Sequence, residues 1–562
     1  MTYTKQIFLQ DLVAAVTVTV LLVPQSLAYA LLAGLPPEMG LYASVAPLLA
    51  YAVLGSSATL SVGPVAVASL MTASAVGAVV QAGLADAVTA AMTLALLGGV
   101  MLLVLGSLRM GFIANFLSHS VVSGFITASG ILIAVSQMKH LLGIGVSGDS
   151  LPELLHGFWV GWSSLHVPTL LLGVSVISFL LFCRTTLAAL LARFHLPTKT
   201  AELISKSAPM LAVIATIAVS QFFGLSERGV SIVGEIPRGL PRVITPTLSY
   251  GLISELLIPA FVIALIGFVE SVSVGRTLGA KRRERISEDR ELMGLGAANV
   301  ASAVSGGFPV TGGFSRSVVN FDSGAQTQVA SVLTAGGIAL VALFLTPALY
   351  FLPHATLAAT IIVAVLGLVN LRDISAAWTL SRSDFMTLST TIIVTLLLGV
   401  EAGVLAGVLG SMGLHLYKTS VPHVAEVGRV QGTQHYRNIR RHDVITSPGV
   451  LSLRVDESLY FANAGFLESL VETRVEEAGP VAHVILLCSA VNEIDVTALH
   501  ALENINASLK SQGAKLHLSE VKGPVMDKLE RTDFVTGLSG EIFLTHHQAV
   551  SHAESSEVGA SA

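Results

Sequence analysis

A carboxylate and a guanidinium stand where apolar sequence leaves little room for either. Glu270 closes the run Phe261–Val269, and Arg316 follows the Gly/Pro-rich stretch Gly306–Gly313. A charge at the centre of a spanning helix costs roughly 2.5–3.5 kcal/mol on insertion scales, so its default reading is functional. Plainer readings stand beside it. Glu270 can be a helix-end residue at the cytoplasmic interface, with Arg276 snorkelling nearby. Arg316 can be half of a structural pair with Glu270 or Asp322. Uncharged donors lie elsewhere: Gln25, Ser26 and Tyr29 come just after Pro24, where the first segment is expected to break, and Tyr29 can equally be packing. Ser315 either offers its hydroxyl to an anion or caps a helix.

These residues need a scaffold, and an internal likeness supplies it. Leu60–Ser69 (LSVGPVAVAS) and Gly306–Ser315 (GGFPVTGGFS) are each a Gly/Pro break leading into a short helix. They fall at about the third and tenth apolar segments. An odd offset of seven gives two halves of opposite orientation, the pattern of inverted-repeat transporters with broken helices near the midplane. A helix start presents unpaired N–H groups and roughly half a positive charge. Two such starts facing each other would make an anion site, with Arg316 one turn into the second broken helix. The charge sum is then about +1 from the two starts, +1 from Arg316 and −1 from ionised Glu270. Protonating Glu270 raises it to about +2. That suits a dianion and predicts proton–dianion symport. Gly306–Gly313 lacks the G-K-[ST] ending of a phosphate loop.

The rest of the chain is what such a site requires. Of 562 residues, 53% are hydrophobic and only 12% charged, and mean hydropathy is +0.76. Soluble domains run nearer a quarter charged, so most of this chain has lipid as its solvent. About fourteen candidate segments follow from Phe8 to Leu416. Clear ones are 86–106, 168–183, 208–224, 253–270, 326–347 and 385–400; 60–80 and 305–322 are shorter and interrupted. The N-terminal run resembles a signal peptide with an Ala28-Tyr29-Ala30 cleavage site. Asp11, Pro24 and the continuing apolar sequence favour a retained spanning helix instead. Basic residues set the orientation. Lys281–Arg285, the group Arg184, Arg193, Lys199 and Lys206, and Arg372 with Arg382 all follow even-numbered segments, which places both termini in the cytoplasm. Arg228, Arg238 and Arg242 interrupt that pattern.

A net charge of −5 without a basic face argues against nucleic acid. No nucleophile–base set and no metal cluster stands out, and Cys183 and Cys488, far apart in sequence, form no metal spacing and no disulfide frame and read as small buried hydrophobes. An enzyme is therefore not expected, nor a metal or other cofactor beyond a coupling proton or sodium ion. After Tyr417 the composition turns soluble. Strands at Val450–Val455, His483–Cys488 and Lys515–Leu518 alternate with helices at Gly465–Glu476, Val496–Lys510 and Lys522–Arg531, an α/β pattern. The expected division is a membrane domain over 1–417, a linker over 418–440, an α/β domain over 441–550 and a disordered tail over 551–562.

The run Pro24–Pro37 (PQSLAYALLAGLPP) and Gly40–Ser44 (GLYAS) resemble the signature of the sulfate permease (SulP) family. Phe268–Ser271 (FVES), Ala298-Asn299, Gly306–Pro309 (GGFP) and Phe314–Asn320 (FSRSVVN) match its later motifs. Asn492–Thr497 (NEIDVT) resembles the characteristic turn of a STAS domain. The resemblance implies an α-helical polytopic membrane protein of fourteen segments in two inverted seven-segment repeats, divided into core and gate domains. It further implies an elevator-like motion, a homodimer, a plasma-membrane location and a small inorganic anion as substrate, sulfate with protons first. Sodium-coupled bicarbonate, dicarboxylate and anion exchange remain alternatives, as does a membrane sensor or scaffold signalling through the STAS domain to a cytoplasmic partner. The anion-site positions carried over are Gln25, Tyr29, Val65, Ala66, Ser315 and Arg316, with Glu270 as the coupling carboxylate and Ser26, Thr311 and Phe314 as further lining. Some relatives carry Glu at the Gln25 position, so a proton role there is not expected. Sodium-coupled relatives are polar near the two helix starts, whereas Val65 and Ala66 are apolar and only Thr311 remains. Thr497 matches the neighbourhood of a phosphorylated Ser in bacterial STAS antagonists, or caps the helix that begins at Val496.

Overall fold

The computed structural model describes residues 3–560 apart from 117, 147, 149, 194–200, 202–203 and 206. Lys199 and Lys206 of the basic loop, and residues 561–562, lie outside the described residues. The chain divides into two compact units, Met1–Ser411 and Met412–Ala562.

Among the described residues, eight helices are long and apolar enough to cross a membrane, the last of them Val400–Ser420, and three shorter apolar ones join them at Ala66–Gln81, Ala208–Phe222 and His354–Val365. Glu288–Val304, Phe314–Asp322 and Arg382–Leu398 are further helices of the bundle. The helices sort into two packed groups. Glu288–Val304 packs on Ala87–Ser107 and Ala46–Leu54, Tyr250–Arg282 packs on Ala87–Ser107, and Lys5–Leu32 packs on Val329–Leu340. This is the core group. His119–Leu142 packs on Arg382–Leu398 and on His354–Val365, which in turn packs on Val167–Phe182. This is the gate group.

Two expectations about segment ends change. Pro24 does not break the first segment: Lys5–Leu32 is one helix with Pro24 inside it. A proline removes one backbone hydrogen bond, and packed neighbours in a membrane bundle tolerate that loss. Glu270 is not at a helix end, because its helix runs from Tyr250 to Arg282.

The breaks at the third and tenth segments are real. The extended pair β1 (Val62–Gly63) and β2 (Thr311–Gly312) run antiparallel, Val62 opposite Gly312 and Gly63 opposite Thr311. Extended backbone in apolar surroundings must find partners. Asn299 holds Val310 with both ends of its amide, accepting from its N–H and donating to its carbonyl, each at 2.9 Å. The Ser271 hydroxyl accepts from the Gly312 N–H at 2.9 Å, and the Ser302 hydroxyl donates to the Phe308 carbonyl at 2.6 Å. Ser271 and Asn299, two of the motif residues, therefore hold the break open.

The second unit is an α/β domain around a six-stranded sheet of order β4-β3-β5-β6-β7-β8. The strands are β3 (Val424–Arg429), β4 (Tyr436–Asn438), β5 (Val450–Val455), β6 (His483–Leu487), β7 (Lys515–Ser519) and β8 (Ile542–Phe543). β5 to β8 are parallel, while β3 is antiparallel to both its neighbours. The helices Ala464–Ala478 and Val496–Ser511 bury Leu467, Val471, Ala498 and Leu502 against Val484 and Leu486 of β6. Two assignments are corrected. The stretch 418–440 is no linker, because β3 and β4 belong to the sheet; their short, charged sequence hid them. The stretch 551–560 is not disordered but completes the helix His546–Ala560. Its small residues Ala549, Val550 and Ala553 pack on Ile485, on the opposite sheet face from Val484 and Leu486. Thr497 is not the helix cap either: Asp495 takes that place, its side chain accepting from the Ala498 N–H at 2.8 Å. Thr497 is exposed in the first turn.

The C-terminal helix covers buried histidines. His517 is 1% exposed and His546 2%. The His517 Nδ1 accepts from the Glu541 N–H at 3.0 Å, so the ring is neutral with its proton on Nε2, facing His483 Nδ1 at 3.0 Å. Burial lowers the pKa of each, to about 4 for His517 and about 4 for His546, from an ordinary 6.5. Below 6.5 the unfolded chain therefore binds protons that the folded domain refuses. This stability is complete above 6.5 and drains as the pH falls towards 4. Amide-exchange protection of β6, β7 and His546–Ala560 is expected to fall between neutral and mildly acidic pH, after correction for intrinsic exchange. Unchanged protection would refute this account.

Candidate functional site

The first unit holds one small cavity where the two broken helices meet. It is lined by Gln25, Tyr29, Pro64, Val65, Ala66, Val67, Glu270, Gly313, Phe314, Ser315 and Arg316, with Ala364, Val365 and Leu368 closing it from the gate group. Eight residues singled out in the sequence thus share one space: Gln25, Tyr29, Val65, Ala66, Glu270, Phe314, Ser315 and Arg316. The helices Ala66–Gln81 and Phe314–Asp322 both start at it. Neither start is capped by a side chain: Val65 and Gly313 hold the N-cap positions. Ser315 is therefore not a cap, and its exposed side chain faces the cavity. The first N–H groups of each helix have no partner within it.

Arg316 is 2% exposed, and its hydrogen bonds go to backbone rather than to the carboxylate of the plainer reading. The guanidinium donates to three backbone carbonyls: Nε to Ser61 at 3.1 Å, Nη1 to Pro64 at 2.9 Å and Nη2 to Thr311 at 3.1 Å. Those carbonyls belong to the extended segments leading into both broken helices. The planar fork of Arg, with five donors, suits that task. One side chain thus ties the two repeats together and brings a full positive charge to the cavity wall.

The glycines beside it make the room. A Cβ on Gly63 would lie 3.0 Å from Arg316 Nη1, and one on Gly313 would lie 2.9 Å from Nε. Gly313→Ala is therefore expected to displace the guanidinium and cut transport by roughly tenfold or more, through weakened charge-assisted bonds. Uptake by purified Gly313→Ala protein would measure it, and wild-type rates would show that the packing is slack.

Two expected lining residues lie elsewhere. Ser26 is fully buried and pairs its hydroxyl with that of Ser44 at 2.7 Å. Its side of the helix meets Gly40, where an added Cβ would come within 1.9 Å of the Ser26 carbonyl oxygen. The Thr311 hydroxyl turns away, donating to the Gly267 carbonyl at 2.6 Å, and only its backbone carbonyl serves the site through Arg316. In both cases the helical or extended direction of the side chain, invisible in linear spacing, decides the outcome.

The structure also shows groups that spacing did not single out. Ser317 accepts from the Ser61 N–H at 3.0 Å and Asn320 donates to the Thr59 carbonyl at 3.0 Å, locking the second broken helix onto the first extended segment. Both lie in the FSRSVVN motif, which was a usable signal.

Comparison with known proteins fits this geometry. The model of the Sulfate permease family matches residues 8–391. The chain belongs to that family. The STAS domain model matches 441–549. The chloroplastic sulfate transporter 4.1 of Arabidopsis thaliana is 34% identical, over 97% of this chain and 80% of its own length. A probable sulfate transporter of Mycobacterium tuberculosis is 33% identical, over 96% of this chain and 94% of its own. Among solved structures, the murine Solute Carrier 26 family member A9 anion transporter, in its inward-facing state, aligns with a TM-score of 0.88 at 25% identity, over 98% of this chain and 92% of that one. As a sulfate permease family member, the protein is a multi-pass membrane transporter and not an enzyme, and its membrane part carries a C-terminal STAS domain.

Proposed function

We propose that the protein is a secondary active transporter that takes up sulfate together with protons, moving its core helices against the gate by an elevator motion. The observation that carries this is the small cavity where two uncapped helix starts meet, with Arg316 in its wall and Glu270 opening onto it. Helix starts and a guanidinium favour an anion, and a carboxylate on the same cavity gives the site a charge that one proton can change. That relatives are named as sulfate transporters supports sulfate as the anion in this reading.

Sodium coupling is the weaker reading. The carbonyls of Ser61, Pro64 and Thr311, the natural ligands for a hard cation at such a break, are already engaged by Arg316. Basic residues at Lys281–Arg285 favour cytoplasmic termini, and a plasma-membrane location is part of the proposal. A homodimer, and a cytoplasmic partner for the STAS domain at the exposed Thr497 turn, complete the proposal.

The test is labelled sulfate uptake into proteoliposomes under an imposed proton or sodium gradient, with bicarbonate and a dicarboxylate as competitors. A proton gradient is expected to drive accumulation and a sodium gradient to leave it unchanged. Sodium-driven uptake indifferent to pH would overturn the reading.

A further inference from the structure

A second, larger cavity of about 400 Å³ adjoins the site. It shares Gln25, Ser315 and Ala364 with the small cavity, so the two adjoin across those residues. Its far end carries Arg184, Ser205 and Thr360. No carboxylate lines it among the described residues.

Arg184 is held in a way that leaves it useful. Its Nη1 donates to the Val363 carbonyl at 2.8 Å, in the last turn of His354–Val365. That carbonyl would normally take the Gly367 N–H, but Gly367 bonds Ala364 instead, at 3.2 Å. The guanidinium thus completes a helix end. An added Cβ on Gly367 would come within 2.8 Å of Nη2, so the bare backbone of that glycine lets the charge lie close. Among the described residues the one hydrogen bond of Arg184 is to Val363, which leaves most of the five guanidinium donors for a ligand.

We propose that Arg184 heads a second anion station, a vestibule in which an oxyanion is caught before it passes Gln25 and Ser315 to the helix starts. The proposal rests on the anion-transport reading above and adds to it a second binding residue, on the gate rather than the core. An apolar-walled cavity with one sign of charge focuses the field and raises the local concentration of counter-ions. A station there would speed loading, depend on ionic strength and lower the apparent KM, without touching the turnover step at Arg316.

Two variants separate the charge from the tether. Arg184→Gln keeps a donor for the Val363 carbonyl but removes the charge. Arg184→Lys keeps the charge. Labelled sulfate uptake by the full-length protein in proteoliposomes is measured against sulfate concentration at low and high salt. Arg184→Gln is expected to raise KM roughly tenfold, with maximal rate retained and the salt dependence of uptake flattened. Arg184→Lys is expected to stay near wild type in both. A glutamine variant with wild-type KM and salt dependence overturns the station, as does a lysine variant equally impaired. If the wild-type protein takes up no sulfate at all, the transport reading itself fails, which is a different result from either.

Discussion

Glu270→Gln protein is expected to bind the anion and exchange it across the membrane, yet to lose accumulation driven by a proton gradient. Glutamine keeps the size of the carboxyl group and its hydrogen-bonding capacity but cannot release a proton. The site would then hold its charge at about +2 whatever the pH, from two helix starts and Arg316. A dianion would meet the favourable state on both sides of the membrane, so nothing would bias its direction. For the wild type, one coupled proton moving down one pH unit is worth about 1.4 kcal/mol, or roughly tenfold accumulation. The variant is expected to show none of it, while sulfate–sulfate exchange persists near the wild-type rate. Proteoliposome uptake with the external medium acidified, beside a counterflow assay, reads both. Undiminished acid-driven accumulation by the variant would show that the proton is carried elsewhere. The same variant in a protein that lost exchange too would point to a positioning role for Glu270.

Removing Arg316 should have the larger effect. Arg316→Ala strips the cavity of its full charge and leaves the carbonyls of Ser61, Pro64 and Thr311 without their donors. Each buried carbonyl left unpaired costs about 1–3 kcal/mol, and truncating one partner of a buried charged pair typically costs 2–5 kcal/mol in binding. Anion binding is therefore expected to fall by roughly a hundredfold or more, together with a lower melting temperature of the membrane domain. Arg316→Lys separates the two losses. It keeps the charge, but a single ammonium cannot span three carbonyls as a planar fork does. Binding should recover substantially in the lysine variant and the melting temperature only in part. Equilibrium binding of labelled sulfate and thermal unfolding, measured on the same preparations, give the two numbers. An alanine variant that transports normally would remove Arg316 from the mechanism.

Much of this site can be read in one dimension, because its signals are anomalies of composition. A glycine-proline break inside an apolar run is visible wherever it occurs, and so is a charge. That is why Leu60–Ser69, Gly306–Ser315, Glu270 and Arg316 stood out, and why the strands and helices between Val450 and Arg531 fall within a few residues of their expected bounds. Elements with ordinary composition were harder. β4 is a short edge strand and β3 beside it carries Glu426 and Arg429, and the last helix is built from small residues whose only apolar face meets Ile485. Pro24 looked like a break, yet the packing of its neighbours kept Lys5–Leu32 whole. Ser26 and Thr311 had the right chemistry and neighbourhood but point into neighbouring backbone or side chains rather than the cavity.

What the sequence by itself determined is a membrane transporter with two broken helices of opposite sense, a titratable carboxylate, a buried guanidinium and an α/β tail. Periodicity, punctuation and the cost of charge in lipid point to it, together with the resemblance of its motifs to the sulfate permease family. What only the tertiary structure decided is how these parts satisfy one another. Three carbonyls from two distant segments converge on Arg316, bare backbone at Gly63 and Gly313 makes its space, and Ser271 and Asn299 hold the extended strand between. Arg184, in sequence one of several basic residues expected in a loop, lies in the helical turn Cys183–Leu187 and becomes distinct only when the gate and core helices enclose a cavity beside it. Hydrogen bonds and close approaches between residues some 250 positions apart leave no local pattern, because they depend on where two chains of backbone cross and not on what lies next to them in sequence.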